Sequence, residues 1–290
     1  MALTERVRAW RARGAGEQVG GRRIHVFNRP GAEPLLLLLH GFPSSSYDWV
    51  PALEHLEGRA ALAFDCLGFG LSAKPRDHAY SLFEQAGIAE ELVARLGSGR
   101  PAFVVGHDMG TSIATELIAR DIEGELGFEL AGVFLFNGSM IPGAASPTLG
   151  QRLLRGRLGP VAARLSSERF FRHQFGSVFS PGHPLGDEDA ADQWSLIAHE
   201  GGQRLGHRLI VYMNERERFA ERWYGALRDW PGKLHLAWGM LDPVATTNVL
   251  EGVRELRPHA PLTRFDDLGH YPQIEDPARL AGALEAAIDA

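Results

Sequence analysis

The chain has 290 residues, of which 44% are hydrophobic and 23% charged, and its formal net charge is −6. This composition predicts one large α/β unit, and the mild acidic balance gives no reason to expect nucleic acid or an anionic lipid as partner. The longest apolar run, Leu35–Leu39, is too short to span a bilayer. A single cysteine, Cys66, and an N-terminus without a secretory h-region predict a cytoplasmic protein without disulfides.

Short apolar runs alternate with helical patterns along most of the chain. The runs IHVFNR, LLLLLH, ALAFD, FVVGH, GVFLFN and LHLAWG predict strands. Amphipathic stretches predict helices, among them SLFEQAGIAEELVARL, TSIATELIARDI and the C-terminal PARLAGALEAAIDA. Continuous apolar strands separated by helices predict a mostly parallel sheet that is covered on both faces.

The alternation of strands and helices stops after Asn137 and resumes at LHLAWG. The residues between are rich in Arg, Phe, Gly and Pro, and they contain no run that is typical of a strand. Within them, RLLRGRLGPVAARL is locally basic and predicts a solvated helix face. We therefore predict a core formed by residues 1–141 and 229–290, interrupted by a helical cap of residues 142–228.

The stretch Gly106-His107-Asp108-Met109-Gly110 carries a carboxylate where a strand turns into a helix. Small residues around a reactive side chain at such a turn are typical of a hydrolase nucleophile, and an aspartate there is already ionised near neutral pH. After LLLLLH, the glycine of HGFP lets the backbone bend close to a ligand. The amides of Phe42 and Met109 are therefore predicted to form an oxyanion hole.

Two further polar residues complete a catalytic order downstream. Asp242 directly follows the strand LHLAWG, and His270 lies in the loop DLGHYP. Nucleophile, acid and histidine in this chain order are typical of α/β hydrolases. Asp266 and Asp267 are weaker candidates for the acid because they precede the histidine within the same loop, and a purely turn-capping role for Asp242 stays open.

The motifs HGFPSSSYDW, LGFGLSAKPRDHAYSLFEQA, NERERFAERWYGAL, LDPV and HYPQIEDP resemble the α/β-hydrolase superfamily, from about His40 to the C-terminus. The resemblance is to the branch of epoxide hydrolases and haloalkane dehalogenases, and within it to the mesoderm-specific transcript hydrolase-like group. It implies the α/β-hydrolase fold, a mostly parallel central sheet flanked by helices with an inserted helical cap. An aspartate nucleophile implies an alkyl-enzyme ester, which His270, oriented by Asp242, hydrolyses with water.

The leaving group is the open point of the resemblance. Haloalkane dehalogenases usually bind halide with a tryptophan after the nucleophile and a second N–H side chain, whereas this chain has Met109 and Phe42 at the corresponding positions. The arginine that follows the nucleophile of fluoroacetate dehalogenases is also absent. YMNERERF resembles the epoxide-hydrolase segment that bears a proton-donating tyrosine, which maps to Tyr212. Epoxide hydrolases usually have a second cap tyrosine, which is missing here. Either one proton donor suffices, or His173 or a water takes the place of the second.

No cluster of His, Cys and carboxylates has metal-ligand spacing, and Gly68-x-Gly70 lacks the third glycine of a dinucleotide site. We therefore predict a hydrolase with neither metal nor cofactor that converts a small hydrophobic epoxide and water to a diol. A haloalkane dehalogenase-type or ester hydrolase stays open, as does a hydrolase-fold protein that binds a ligand or partner without turnover. Monomer and homodimer are both compatible with the sequence.

Overall fold

The computed structural model describes residues 2–290 and contains one eight-stranded sheet. Its strands are β1 Ala15–Val19, β2 Arg22–Arg29, β3 Ala32–Leu39, β4 Arg59–Phe64, β5 Ala102–His107, β6 Leu130–Phe136, β7 Leu234–Gly239 and β8 Leu262–Phe265. Across the sheet they follow the order β1-β2-β4-β3-β5-β6-β7-β8. The pairs β1·β2 and β2·β4 are antiparallel and all other neighbours are parallel, so the predicted mostly parallel sheet is confirmed.

The six predicted strands correspond to β2 through β7. The leucine run of β3 is buried on both sides because successive side chains point to opposite faces of a strand. Leu35, Leu37 and Leu39 therefore pack in one core cluster, whereas Leu36 and Leu38 pack in the other. The two strands that the sequence did not predict, β1 and β8, are the two edge strands of the sheet.

Helices cover both faces of the sheet. They are α1 Glu5–Arg13, α2 Val50–Glu54, α3 Leu82–Leu96, α4 Met109–Glu123, α5 Leu149–Arg155, α6 Gly159–Leu165, α7 Glu168–Gly176, α8 Asp187–Ile197, α9 Gly206–Leu209, α10 Tyr212–Arg218, α11 Ala220–Asp229, α12 Thr247–Leu256, α13 Pro272–Glu275 and α14 Pro277–Asp289. Apolar side chains of α3, α4, α11 and α12 pack on one face, and those of α1, α2 and α14 on the other. None of the helices in the described chain is long and apolar enough to cross a membrane.

Between β6 and β7 the chain forms helices α5 to α11, and we call residues 142–229 the helical insertion. The insertion is tied to the core by side chains as well as by apolar packing. Glu215 accepts hydrogen bonds from Ser81 Oγ and Leu82 N, both at 2.7 Å, at the start of α3. The division of the chain into a core and a separate cap domain at 142–228 stays a prediction.

Five polar or backbone groups of interest follow five parallel strands at one edge of the sheet. Phe42 follows β3, Asp108 follows β5, Asn137 follows β6, Asp242 follows β7 and His270 follows β8. The carboxyl ends of parallel strands meet at this edge, where open α/β sheets bind their ligands. The fold therefore brings together residues that are far apart in the sequence.

Candidate active site

Asp108 lies on a sharp turn between β5 and α4. Its backbone has φ 45° and ψ −109°, and only 1% of the residue is exposed. The turn brings the start of α4 against the end of β3, because a Cβ on Gly110 would lie only 2.3 Å from the carbonyl oxygen of Leu39. The small residue in the motif is therefore required by the close approach of two backbone segments.

The two carboxylate oxygens of Asp108 have different surroundings. Oδ2 accepts a hydrogen bond from the backbone N–H of Phe42 at 2.9 Å. Oδ1 is buried and has no hydrogen-bond partner within residues 2–290. Met109 begins α4, so its N–H is among those that the helix itself leaves without a partner. The turn thus holds one oxygen against the predicted oxyanion donor and leaves the lone pairs of the other free.

The loop that carries Phe42 is shaped by the buried imidazole of His40. Its Nδ1–H donates to the carbonyl of Gly41 at 2.8 Å, and its Nε2 accepts from the N–H of Cys66 at 2.9 Å. Burial lowers the pKa of His40, which keeps the ring neutral in this role. A Cβ on Gly41 would lie 2.7 Å from Asp108 Cβ, so the loop packs directly against the carboxylate.

Asp242 and His270 form a hydrogen-bonded pair at the same edge of the sheet. His270 Nδ1 donates to Asp242 Oδ2 at 2.6 Å. Asp242 is fixed by three more donors, the Asn137 side-chain amide to Oδ2 at 2.8 Å and the N–H groups of Val244 and Ala245 to Oδ1 at 2.7 and 3.0 Å. With its proton on Nδ1, the neutral imidazole keeps Nε2 available as a base.

The electrostatic surroundings of His270 favour its protonated form. Burial acts against the charged imidazolium, but the carboxylates of Asp242 and Asp108 outweigh it and raise the pKa of His270 above its ordinary value. The weaker candidates for the acid lie elsewhere, since Asp266 pairs with Arg264 at 3.0 Å and Asp267 with Arg279 at 2.8 Å at the surface.

His107 holds the backbone of His270 in place through a hydrogen bond. Its Nε2–H donates to the carbonyl of His270 at 2.7 Å, and its Nδ1 accepts from Gln273 Nε2 at 3.0 Å. Burial and the neighbouring His270 ring hold the pKa of His107 well below its usual range, so the ring stays neutral. The residue before Asp108 therefore positions the loop that carries the predicted base.

A cavity of about 130 Å³ lies between the core and the helical insertion. Its wall is largely apolar, and it includes Phe42, His270 and Tyr271 from the core and Phe171, Phe175 and Trp194 from the insertion. The last three aromatic residues gave no functional signal in the sequence. Asp108 and Tyr212 are not among the lining residues, so the carboxylate is covered in this conformation.

Tyr212 is the first residue of α10, and Arg216 lies in the last turn of the same helix, where it contacts the nucleophile turn. The Tyr212 ring is 4% exposed, its centroid is 5.8 Å from that of Phe42, and the Arg216 guanidinium lies 4.6 Å above it. Burial raises the pKa of Tyr212, so the phenol stays protonated at neutral pH. The structure therefore places the predicted proton donor beside the oxyanion residue.

Arg216 was not singled out in the sequence, although it contacts the nucleophile turn directly. Its Nη2 donates to the backbone carbonyl of Asp108 at 2.7 Å and lies 3.8 Å from Oδ1. Its Nε donates to Ser112 Oγ on α4, also at 2.7 Å. A buried arginine of the insertion thus spans the turn and the first part of the following helix.

Tyr271 is a second phenol near the site that the sequence did not identify. It lines the cavity, and its hydroxyl is 3.5 Å from the carbonyl oxygen of Phe42. Burial holds its pKa well above the ordinary value. The only local signal was its position directly after His270. His173, one of the alternatives to a second cap tyrosine, is exposed and does not line the cavity.

A buried acid lies behind the oxyanion loop. Asp48 accepts hydrogen bonds from Ser44 Oγ and, at 2.7 Å, from Gln193 Nε2 of the insertion. Burial raises its pKa to about 7, despite these donors.

Residues 2–290 contain no group of three His, Cys, Asp or Glu side chains that could hold a metal ion.

Comparison with known proteins agrees with the observed fold. Residues 34–277 match the family model described as alpha/beta hydrolase fold. LipZ of Mycobacterium tuberculosis is 50% identical over 284 residues, which cover 98% of each chain. The mesoderm-specific transcript protein of Mus musculus is 35% identical over 298 residues, covering 99% of this chain and 89% of that protein. Epoxide hydrolase B of M. tuberculosis is 42% identical over 101 residues, 32% of this chain and 28% of that protein.

Proposed function

The chain belongs to the α/β-hydrolase family, and from this premise we propose that it opens epoxides to diols through an ester formed on Asp108. One observation carries the proposal. In a buried turn, Asp108 Oδ2 is held by Phe42 N at 2.9 Å, while Oδ1 has no hydrogen-bond partner among the described residues and lies 3.8 Å from Arg216 Nη2. An ionised carboxylate with one free oxygen is suited to displacement at an sp3 carbon and needs no base for its first attack.

In the first step, Asp108 Oδ1 attacks an epoxide carbon and the C–O bond of the ring breaks. The ring oxygen takes a proton from the phenol of Tyr212, which becomes a phenolate. A buried phenol is suited to this task because it is protonated before the step and donates a strong hydrogen bond. Tyr271, whose hydroxyl also faces this region, is the candidate for a second donor to the same oxygen.

In the second step, His270 Nε2 takes a proton from water, and the resulting hydroxide attacks Cγ of the ester. Negative charge then develops on Oδ2, which accepts from the Phe42 amide and for which the Met109 amide is the proposed second donor. The bond between Cγ and Oδ1 breaks, and the departing alkoxide takes the proton from His270. The other water proton, left on the regenerated carboxyl group, returns to the Tyr212 phenolate, so the enzyme is restored.

The proposal requires movement of the residues that cover Asp108. Its Oδ1 is sealed from solvent, and the cavity wall reaches His270 and Phe42 without reaching the carboxylate. A substrate carbon therefore needs a shift of the helical insertion or of the paired Phe42 and Tyr212 rings before it can approach Oδ1. Opening and closure of this kind are common in enzymes with a covered site.

Epoxide chemistry is preferred to halide release because of the side chains around the cavity. In haloalkane dehalogenases a tryptophan directly after the nucleophile and a second N–H side chain bind the halide, and this chain has Met109 and Phe42 at the corresponding positions. The preserved set of Asp108, Asp242 and His270 favours turnover over a role in ligand binding alone. Epoxide hydrolase B, which the chain resembles over part of its length, supports the same substrate class.

The proposal is tested by trapping the ester in a His270→Gln variant. Glutamine has nearly the length of the imidazole but cannot take a proton from water, so the first step proceeds and the second stops. Intact-protein mass spectrometry on a panel of small hydrophobic epoxides should show addition of one whole epoxide, and peptide mapping should place it on Asp108. The matched control is a His270→Gln/Asp108→Asn variant, which should carry no adduct.

The outcomes separate the competing functions. A variant that is saturated with an epoxide turned over by the wild type, yet carries no adduct at any time, contradicts the alkyl-enzyme mechanism. Halide release from haloalkanes without epoxide turnover would assign the protein to the dehalogenase alternative. Calorimetric binding without turnover of either panel would favour a binding protein.

A further inference from the structure

Exposed apolar side chains are concentrated on one part of the helical insertion. Among the described residues, eight large hydrophobic side chains are classed as exposed, and six of them lie between 149 and 170. We call residues 149–170 the outer segment. Its exposed apolar residues are Leu149 (51% exposed), Leu153 (45%), Leu158 (72%), Val161 (50%), Leu165 (76%) and Phe170 (39%).

These side chains follow helical spacing, so they form stripes. On α5 two leucines are four residues apart, and Leu158, Val161 and Leu165 repeat at three and four residues along α6. Helices α5 and α6 pack against each other. The N–H of Gly150 on α5 donates to Gln174 Oε1 on α7 at 3.0 Å, which brings the third helix alongside. The three helices that carry these exposed side chains are therefore neighbours in the insertion.

The outer segment is also strongly basic, in contrast to the chain as a whole. The outer segment contains five arginines and a single acidic residue, Glu168, in a chain with net charge −6. Arg155 pairs with Glu217 at 2.6 Å. The other four are exposed and form no ion pair with any residue from 2 to 290, namely Arg152, Arg157, Arg164 and Arg169. Their charge is available to an anionic partner.

The inner side of the outer segment faces the cavity. Gln151 and Leu154 on α5, Ser166 after α6 and Phe170 on α7 all contribute to its wall. Phe170 belongs to both surfaces, because it is partly exposed and also lines the cavity. An apolar molecule held at the outer surface would therefore be one helix layer from the chamber that contains His270.

We propose that the outer segment docks on an anionic lipid surface. Helices with leucine and phenylalanine on one side and arginine at the rim insert their apolar side chains at the boundary of headgroups and acyl chains, while the cations bind the acidic headgroups. Charge complementarity favours this occupant over a second copy of an acidic chain that would present the same basic surface. The proposal departs from the expectation from net charge, because net charge averages over this local cluster of arginines. It does not depend on the chemistry of Asp108.

The test is co-sedimentation of the purified full chain with two kinds of vesicles, phosphatidylcholine alone and phosphatidylcholine with a third of phosphatidylglycerol. The chain should bind the anionic vesicles at low salt and be released at high salt. Arg157→Gln/Arg164→Gln should weaken binding about 30-fold, as expected for two cations near the surface. Leu158→Ser/Leu165→Ser should weaken it at least about tenfold by removing the inserted side chains.

A matched control changes one exposed arginine and one exposed aliphatic residue outside the insertion, Arg254→Gln/Ile122→Ser, and should bind as the wild type does. Far-UV circular dichroism and thermal unfolding should be unchanged in all three variants because the altered side chains are exposed. Absence of wild-type binding to the anionic vesicles overturns the proposal. Equal binding of the wild type and all variants to these vesicles also overturns it. A concentration-dependent dimer that Leu158→Ser/Leu165→Ser abolishes, without vesicle binding, would assign the surface to a second copy.

Discussion

Replacing Arg216 with Met should damage the nucleophile turn more than its effect on stability explains. Met keeps most of the aliphatic stem but removes the hydrogen bonds to Asp108 O and Ser112 Oγ, both at 2.7 Å. Hydrogen bonds from a charged donor contribute about 1.5–3 kcal/mol each, and removal of a buried cation offsets part of the loss. The carbonyl of Asp108 keeps a second donor, Thr111 Oγ1 at 2.6 Å. We therefore expect a loss of about 2 kcal/mol and a fall of roughly 3 °C in Tm for a chain of this length.

Two effects on the reaction oppose each other. Arg216 lies 3.8 Å from Asp108 Oδ1, so it stabilises the carboxylate charge that the first step consumes, and its removal alone would speed the attack. Arg216 also fixes the backbone of the turn, and a misplacement of about 1 Å can cost a hundredfold in rate. We expect positioning to dominate, with the rate constant for alkylation reduced about 10- to 100-fold and the substrate Kd nearly unchanged. The assay is single-turnover adduct formation in the His270→Gln background.

Two controls separate positioning from stability and from charge. Leu284→Ala removes a buried side chain of α14 in the other core cluster and should lower stability by about 2–5 kcal/mol without changing the alkylation rate. Arg216→Lys keeps the charge but cannot span both acceptors, so it should not restore the rate. A wild-type or faster alkylation rate in Arg216→Met would refute the positioning role.

Three further predictions concern proton transfer and buried acid. Tyr212→Phe should slow alkylation by an epoxide about 10²–10³-fold and leave hydrolysis of the ester unchanged, and equal effects on both steps would reduce Tyr212 to a packing role. Ester hydrolysis should fall as the pH drops, because protonation of His270 removes the neutral base; Asp242 raises the pKa of His270 in the ester, but the esterified Asp108 no longer does so. An alkylation step with the same midpoint would contradict this assignment. Asp48 has a pKa of about 7 in the folded chain against an ordinary 3.8, so the stability that its proton contributes is lost as the pH rises between these values. Asp48→Asn should be less sensitive to that rise in urea unfolding, and parallel pH curves for variant and wild type would show that Asp48 titrates normally.

The sheet could be predicted from the sequence wherever burial was continuous. β3 is recognisable because five successive leucines fill both core clusters. The edge strands carried no such signal, since β1 has a single buried residue, Val19, and β8 has four residues of which only Phe265 is buried. Pairing with one neighbour is enough to form an edge strand, and its side chains need not be apolar.

The catalytic candidates could be predicted from their local sequence, whereas the residues that support them could not. Asp108 is recognisable because the close approach at Gly110 restricts the neighbouring residue types. Arg216 acts across 108 residues of sequence, and although it lies in the motif YMNERERF, no local pattern distinguishes it from Arg218, which is exposed. Asn137, whose amide fixes Asp242 from 105 residues away, differs from an ordinary residue after a strand only in its tertiary contacts.

The strand order has a consequence for how the protein is made. Except for the exchange of β3 and β4, the strands cross the sheet in the order in which the ribosome delivers them. Because chains fold from the N-terminus as they are synthesised, each strand from β4 onward finds a neighbour already made, and the sheet can grow towards β8. β8 and the loop with His270 arrive last, after the helical insertion that forms the roof of the cavity. Because His270 and Tyr271 are part of the cavity wall, the chamber between core and insertion is closed only after this late loop has been synthesised.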